Sequence, residues 1–378
     1  MSIFQRTIEK HLKERLFQGK VVILYGARQV GKTTLVKKML AEYGEKGRYL
    51  NCENLSVQQG LADLEAVKLN AFLGDYSLVV LDEAQKIPDI GKKLKLLVDT
   101  YPKMQIIATG SSSFDLSNKT SEPLTGRAFH LMLTTLSVEE IVKNTDFLTA
   151  TAELDKFLRL GSYPEIYSFS DESAIDRLNE IASAYLYKDI LQFEGIKKSS
   201  IVQKLLQLLA LQLGNEVSYN ELANTLKVSR QTIEKYIDIL EKSFIVFTLR
   251  AFSRNKRKEI SKSVKIYFYD NGIRNSLIQN FNPLAIRNDQ GALWENFCIS
   301  ERYKYNITHN KKPNIFFWRT YDQKEVDYVE EADGKIHGFE FKWNPEKTPK
   351  APKNFTEEYN ADFTVVNPKN CWKFFGVE

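Results

Sequence analysis

Short apolar runs alternate with stretches of helical period over the first third of the chain. VVILY at 21–25, YLNC at 49–52, LVVL at 78–81 and QIIATG at 105–110 have the length of buried strands, and helical spacing fills the gaps between them. That rhythm predicts a parallel sheet covered by helices on both faces. Residues 150–245 read as mostly helical, as in LDKFLRLG and IDRLNEIASAYLYKDIL, with Gly161 and Pro164 as punctuation. Strand signals return in FIVFTLR and KIYFYD. After NPLAIRNDQG at 282–291 come short aromatic-rich runs, NIFFWR, EVDYV and FEFKW. The expectation is an α/β protein in three parts: a parallel-sheet domain over 1–145, a helical domain with two further strands over 146–284, and a mixed α/β domain over 285–378.

Composition narrows the class. The chain has 378 residues, 43% apolar and 27% charged, enough to bury several cores and too apolar for a disordered chain. Its net charge of +5 is too small for a polycation, so any nucleic-acid surface has to be local. Cys52, Cys298 and Cys371 are far apart and form no Cys-x-x-Cys, which supports neither a zinc module nor a disulfide framework and fits a reducing compartment. The opening MSIFQRTIEKHLKERLF interleaves charge with apolar residues, unlike a signal peptide. No run approaches the ~20 apolar residues that span a bilayer. A cytoplasmic protein without a membrane segment is expected.

Residues 26–33, GARQVGKT, match G-x-x-x-x-G-K-[ST] directly after a strand and directly before a helix. Gly26, Ala27, Arg28, Gln29, Val30 and Gly31 would wrap their backbone around a phosphate chain, with Lys32 on the β- and γ-phosphates and Thr33 and Thr34 opening the helix. The hydroxyl of Thr33 would complete a Mg²⁺ shell. The run LVVLDEAQ then ends a strand in adjacent acids: Asp82 to hold Mg²⁺ through water, Glu83 to polarise the attacking water. Thr109 or Ser111, after QIIATG, could bond that water. Arg127 in LTGR is the candidate cation for phosphoryl transfer, in cis or from another subunit.

Residues 218–242 read as a helix-turn-helix. Ser218 with Glu221 makes a capping box, Ser229 caps the second helix, and Ile233, Ile237 and Leu240 form its buried stripe. Two strand candidates around AFSRNKRKEISKSV then give a winged-helix arrangement. Residues 250–265 hold seven Lys or Arg and one Glu, a local +6. Arg254, Lys256, Arg257 and Lys258 would meet duplex phosphates, with Arg230 and Gln231 near base edges.

The Asp333-Gly334 pair predicts a hairpin in which Asp327 falls opposite Glu340. Period two then puts Val326 and Tyr328 with Phe341 and Phe339 on an apolar side, and pairs Glu325 with Lys342 on a charged side. Asp327 and Glu340 facing one another would repel unless a divalent cation lay between them, and Glu295 in GALWENFCIS could lend a third acid.

With GARQVGKTTL, VVLDEAQ, TGSSS, LTGR, GSYPEIY, YLYKDIL, IYFYDNGIR and GALWEN, the chain resembles a bacterial and archaeal family of AAA-type ATPases whose C-terminal region is a domain of unknown function. The resemblance implies a P-loop NTPase domain using ATP and Mg²⁺, a winged helix, and a restriction-endonuclease-like tail similar to PD-(D/E)xK nucleases. In that tail Asp327, Glu340 and Lys342 stand at the D…E-x-K positions and Glu295 at the preceding helical acid, while Val326 replaces the motif's proline. The expected function is Mg²⁺-dependent ATP hydrolysis coupled to duplex DNA binding. An ATP-gated DNA nuclease, or a slow nucleotide switch with a protein partner or a second copy, are the alternatives.

Overall fold

The computed structural model describes residues 4–111, 124–184, 199–253, 264–320 and 322–377. They form two compact units, 1–136 with 242–244, and 137–241 with 245–378.

In the first unit β1 (Val21–Tyr25), β2 (Gly47–Asn51), β3 (Leu78–Asp82), β4 (Gln105–Gly110) and β5 (Ala128–Met132) make one sheet in the order β2-β3-β4-β1-β5. All four pairings are parallel, as the buried apolar runs predict. Parallel strands put every following loop at one end of the sheet, where β1, β4 and β3 stand side by side. Val21, Ile23, Val79, Leu81, Ile106 and Ala108 enter a core closed by Ile90, Leu94 and Leu97 of the helix Ile90–Thr100.

The second unit is built on one seven-stranded sheet. Its order is β12-β11-β10-β9-β7-β8-β6, from β6 (Glu216–Val217), β7 (Val246–Ala251), β8 (Val264–Phe268), β9 (Asn314–Arg319), β10 (Glu325–Ala332), β11 (Lys335–Phe341) and β12 (Asp362–Val366). Strands from both sides of the expected boundary at 284/285 share this sheet. The joint is β7 lying parallel to β9, with Arg250 opposite Phe316 and Ala251 opposite Phe317, extended by the Phe252 N–H donating to Phe317 O at 2.7 Å. Aromatic strands with unsatisfied edges on each side complete one another.

The Asp333-Gly334 turn has both residues at positive φ, 52° and 74°, and the pairs Ala332–Lys335 through Tyr328–Phe339 keep the expected register. A bulge overturns the simple alternation of faces. Val326 lies opposite Trp318 and Val329 opposite Phe316, so Asp327 and Tyr328 together face the single Phe317. Val326 therefore shares a core with Val329, Trp318 and Phe355, while Tyr328 packs on the opposite side with Phe339 and Phe341.

The GSYPEIY segment closes a buried polar network. Gly161 has φ 72°, and a Cβ there would fall 1.9 Å from Asp270 Oδ1. Asp270 accepts from the N–H groups of Ser162, Gly272 and Ile273, and Lys304 Nζ reaches Ser162 Oγ at 2.9 Å and Glu301 Oε1 at 2.7 Å. No helix among the described residues is long and apolar enough to cross a membrane.

Because β9 is completed by β7, a fragment of residues 285–378 is expected to lack a cooperative urea transition, whereas the full chain shows one. A sigmoidal, reversible transition in the isolated fragment, followed by circular dichroism, contradicts the single-sheet account.

Candidate nucleotide site and the carboxylate cluster

The loop after β1 has the backbone a phosphate cup requires. Gly26 has φ 152°, and a Cβ there would lie 2.0 Å from Leu133 O, so only glycine fits. Gly31, at φ 99°, turns the chain into the helix Lys32–Ala41. Lys32 is buried, its ammonium donating to Gly26 O and Ala27 O at 2.8 Å each.

Asp82, at the end of β3, gathers three neighbours. The Thr33 hydroxyl donates to its Oδ2 at 2.8 Å, the Tyr49 hydroxyl donates to the same oxygen at 2.5 Å, and the Thr109 hydroxyl donates to Oδ1. Thr109 stands on β4, the strand between β3 and the phosphate loop, which is why a hydroxyl there closes the group. Burial, with the Asp82 carboxylate beside it, raises the Tyr49 phenol well above its ordinary range. Burial likewise pushes the neighbouring Cys52 thiol up to about 12, so it stays protonated and unreactive. Glu83 sits in a left-handed turn at φ 55°; its N–H donates to Thr109 Oγ1 at 3.1 Å, and its Oε2 accepts from Gln85 Nε2 at 2.6 Å. Gln85 Nε2 also reaches Ser111 Oγ at 3.3 Å. These residues, with Ala27, Arg28, Gln29, Val30 and Thr34 in the loop and first turn, are brought together at the carboxyl ends of the strands.

Arg127 is not. It precedes β5, hence lies at the amino end of the parallel sheet, a strand length of roughly 16 Å from the loop after β1. Its Nε pairs with Asp99 Oδ1 at 2.7 Å on the exposed surface. A different arginine serves the loop: Arg6 is buried and donates to Val30 O at 2.7 Å and Thr134 O at 2.7 Å. Nothing in the local sequence around Arg6 singles it out, because its partners are backbone carbonyls 24 and 128 residues away.

In the second unit Glu295, Glu325, Asp327 and Glu340 meet two lysines. Glu340 Oε1 accepts from Lys342 at 2.6 Å, so Lys342 pairs there and not with Glu325 as expected. Glu325 pairs instead with Lys265 of β8, which also lies 3.3 Å from Glu295 Oε1 and is 2% exposed. Lys265 adds to the local charge of residues 250–265, yet it opens the strand candidate KIYFYD, where period two places it on the same side as Tyr267. Tyr267 OH donates to Glu295 Oε1 at 2.5 Å, and the Phe341 N–H donates to Asp327 Oδ2 at 2.9 Å. Burial, then the nearby Asp327 charge, raises Glu295 to about 8 and Glu340 to about 7, and burial also raises Asp327. Among the described residues no three Asp, Glu, His or Cys side chains converge closely enough to hold a metal ion.

The helix pair Tyr219–Leu226 and Arg230–Lys242 is capped by Ser218 and Ser229, with Glu221 N–H on Ser218 Oγ and Thr232 N–H on Ser229 Oγ, the first being one half of the expected capping box. Arg230 is exposed but ion-paired to Glu234 at 2.8 Å. Gln231 is exposed. Arg254, Lys256, Arg257 and Lys258 lie outside the described residues. Beside Arg230 opens a cavity of about 560 Å³ lined by Glu216, Glu234, Asp238 and Glu241 together with Arg230 and Arg250.

Removing the Arg6 guanidinium strands buried carbonyls at the loop, so Arg6→Ala is expected to cost about 1.5–3 kcal/mol of stability. A urea midpoint equal to that of the unmodified chain would show that the contact contributes nothing.

Comparison with known proteins divides the chain in three. Residues 18–142 match the AAA domain, 151–284 a domain of unknown function, DUF8612, and 290–371 another, DUF4143. An uncharacterized protein of Mycobacterium tuberculosis is 30% identical over 348 residues, covering 90% of this chain and 74% of that one. One from Methanocaldococcus jannaschii is 26% identical over 344 residues, covering 86% and 75%. Among solved structures, Pif1 helicase from Candida albicans is similar at 12% identity and a TM-score of 0.27, covering 71% of this chain and 64% of that one. Drosophila ORC bound to AT-rich DNA and Cdc6 is similar at 9% and 0.26, covering 72% and 90%. Both scores are too low to carry an argument about this chain. The N-terminal unit carries a P-loop ATPase-like AAA domain, and by its near full-length match to the mycobacterial protein the chain belongs to that protein's family.

Proposed function

We propose that the first unit binds ATP with Mg²⁺ and hydrolyses it. The observation that carries this reading is the Thr33 hydroxyl held 2.8 Å from Asp82 beside a backbone cup that only glycine can form. These groups suit the ion: the Thr33 hydroxyl is a hard oxygen ligand at the mouth of a phosphate loop, and Asp82, whose oxygens are occupied by hydroxyls, would hold the ion through water. Bound Mg²⁺ would neutralise phosphate charge. The chain's own groups do the rest. The loop N–H groups and the start of the helix Lys32–Ala41 face anionic oxygens, and Lys32 exchanges its two carbonyl partners for phosphate. Glu83, steered by its left-handed backbone and by Gln85, orients and polarises water. ATP over GTP rests on the AAA family likeness. Three buried, unbridged cysteines support a reducing, cytoplasmic setting.

The second unit is read as the DNA-coupled part. A capped helix pair followed by β7 and β8, with β6 pairing on β8, supports a winged helix whose connecting residues 254–263 are basic. The hairpin carrying Asp327, Glu340 and Lys342, with Glu295 from the helix Gln290–Thr308, supports a nuclease-like architecture. A second reading, a nucleotide switch for a protein partner, is favoured by one observation: Arg230 is paired with Glu234 beside a cavity whose lining holds four acids against two arginines, a poor surface for phosphate.

Lys32→Ala is expected to abolish ATP binding by calorimetry. Glu83→Gln should keep binding and lower turnover by about 10²–10⁴-fold. Turnover surviving both substitutions would sink the enzyme reading. Duplex DNA should stimulate the unmodified chain, with affinity falling steeply with salt; turnover indifferent to DNA and salt-independent binding favour the switch.

A further inference from the structure

The nuclease likeness carries an implied divalent cation, and the residues present do not fit one. A Mg²⁺ site needs carboxylate oxygens free to approach at about 2.0–2.1 Å in near-octahedral array. Here Glu295 Oε1 is already taken by the Tyr267 hydroxyl and the Lys265 ammonium, Glu325 Oε1 by Lys265, and Glu340 Oε1 by Lys342; Glu340 Oε2 is buried without a partner, a single oxygen where an octahedral ion needs several, and among the described residues no three acids converge to supply them. Asp327 Oδ2 accepts the Phe341 N–H at 2.9 Å. The bulge explains that last contact, because it puts Asp327 and Tyr328 together opposite Phe317.

We propose that Lys265 is a built-in cation that stands in for the metal, holding Glu295 and Glu325 in ion pairs so that the cluster they form with Asp327 and Glu340 binds no divalent ion. The lysine comes from β8 and the acids from the helix Gln290–Thr308 and β10, so the cluster fastens the segment 151–284 to the segment 290–371. Its ammonium is buried among these carboxylates and stacked 5.5 Å from the Phe317 ring centroid. A lysine fills this place as a fixed single charge that cannot be exchanged with solvent ions. Cleaving a phosphodiester here would require the ammonium to leave and two ions' worth of ligands to open. This resident cation is why the acids can be buried together without a metal.

The test uses the full chain with Thr33→Ala and Asp82→Asn, which removes the phosphate-loop metal ligands, and Mn²⁺ as the probe by electron paramagnetic resonance and thermal melting. Failure of ATP hydrolysis leaves the result untouched. With Lys265 in place, no stoichiometric Mn²⁺ binding and no Mn²⁺-dependent rise in melting temperature are expected. Adding Lys265→Ala should create a site about tenfold or more tighter than background, with Mn²⁺ recovering part of the melting temperature lost. Mn²⁺ bound by the Lys265-containing chain and released by Asp327→Asn overturns the proposal. So does a folded Lys265→Ala chain that gains no Mn²⁺. Should Lys265→Ala fail to fold, the Asp327→Asn comparison decides alone.

Discussion

One buried carboxylate organises the first unit. Asp82 accepts hydroxyls from Tyr49 on β2, Thr109 on β4 and Thr33 at the start of the phosphate-loop helix. A carboxyl group 3% exposed is costly unless its oxygens are hydrogen-bonded, and here three hydroxyls reach them. The same set fixes where the loop, the acid pair and the small hydroxyls stand relative to one another. Losing any donor would leave charge without compensation and blur the site's geometry by the small distances that matter for positioning.

The glycine at 26 and the arginine at 6 complete that arrangement from opposite directions. The glycine admits the Leu133 carbonyl to within contact of the loop backbone, and the guanidinium ties the Val30 carbonyl to that of Thr134. Both act on main-chain atoms. The loop's shape is therefore held by backbone packing.

The second unit applies the same electrostatic rule with a different outcome. Four acids brought into one place by β10, β11 and a long helix would repel, and two lysines answer them, one from the hairpin's own end and one from β8. Elsewhere Arg302 grips Glu330 through two nitrogens at 2.9 and 2.7 Å, while Lys304 lies between Ser162 and Glu301. Buried pairs of this kind contribute little net stability against an apolar core, yet breaking one partner is expensive, which makes them good determinants of a single register.

Much of this was legible in the order of residues. The phosphate loop, the acid pair at 82 and 83, the parallel strands, the capped helix pair and the Asp333-Gly334 turn are local patterns whose geometry follows from spacing and backbone sterics. What required the folded chain were the relations between distant segments. Strand order put Arg127 at the amino end of the sheet and Arg6 beside the loop. The β7–β9 pairing merged two expected domains' strands into one sheet. A one-residue bulge moved Val326 and Tyr328 to opposite faces, and β8 placed Lys265, counted by charge with the basic stretch 250–265, among acids. Local sequence encodes period, caps and turns because those depend on near neighbours; which charges finally meet depends on strand order and register, and these are set by the packing of the whole unit.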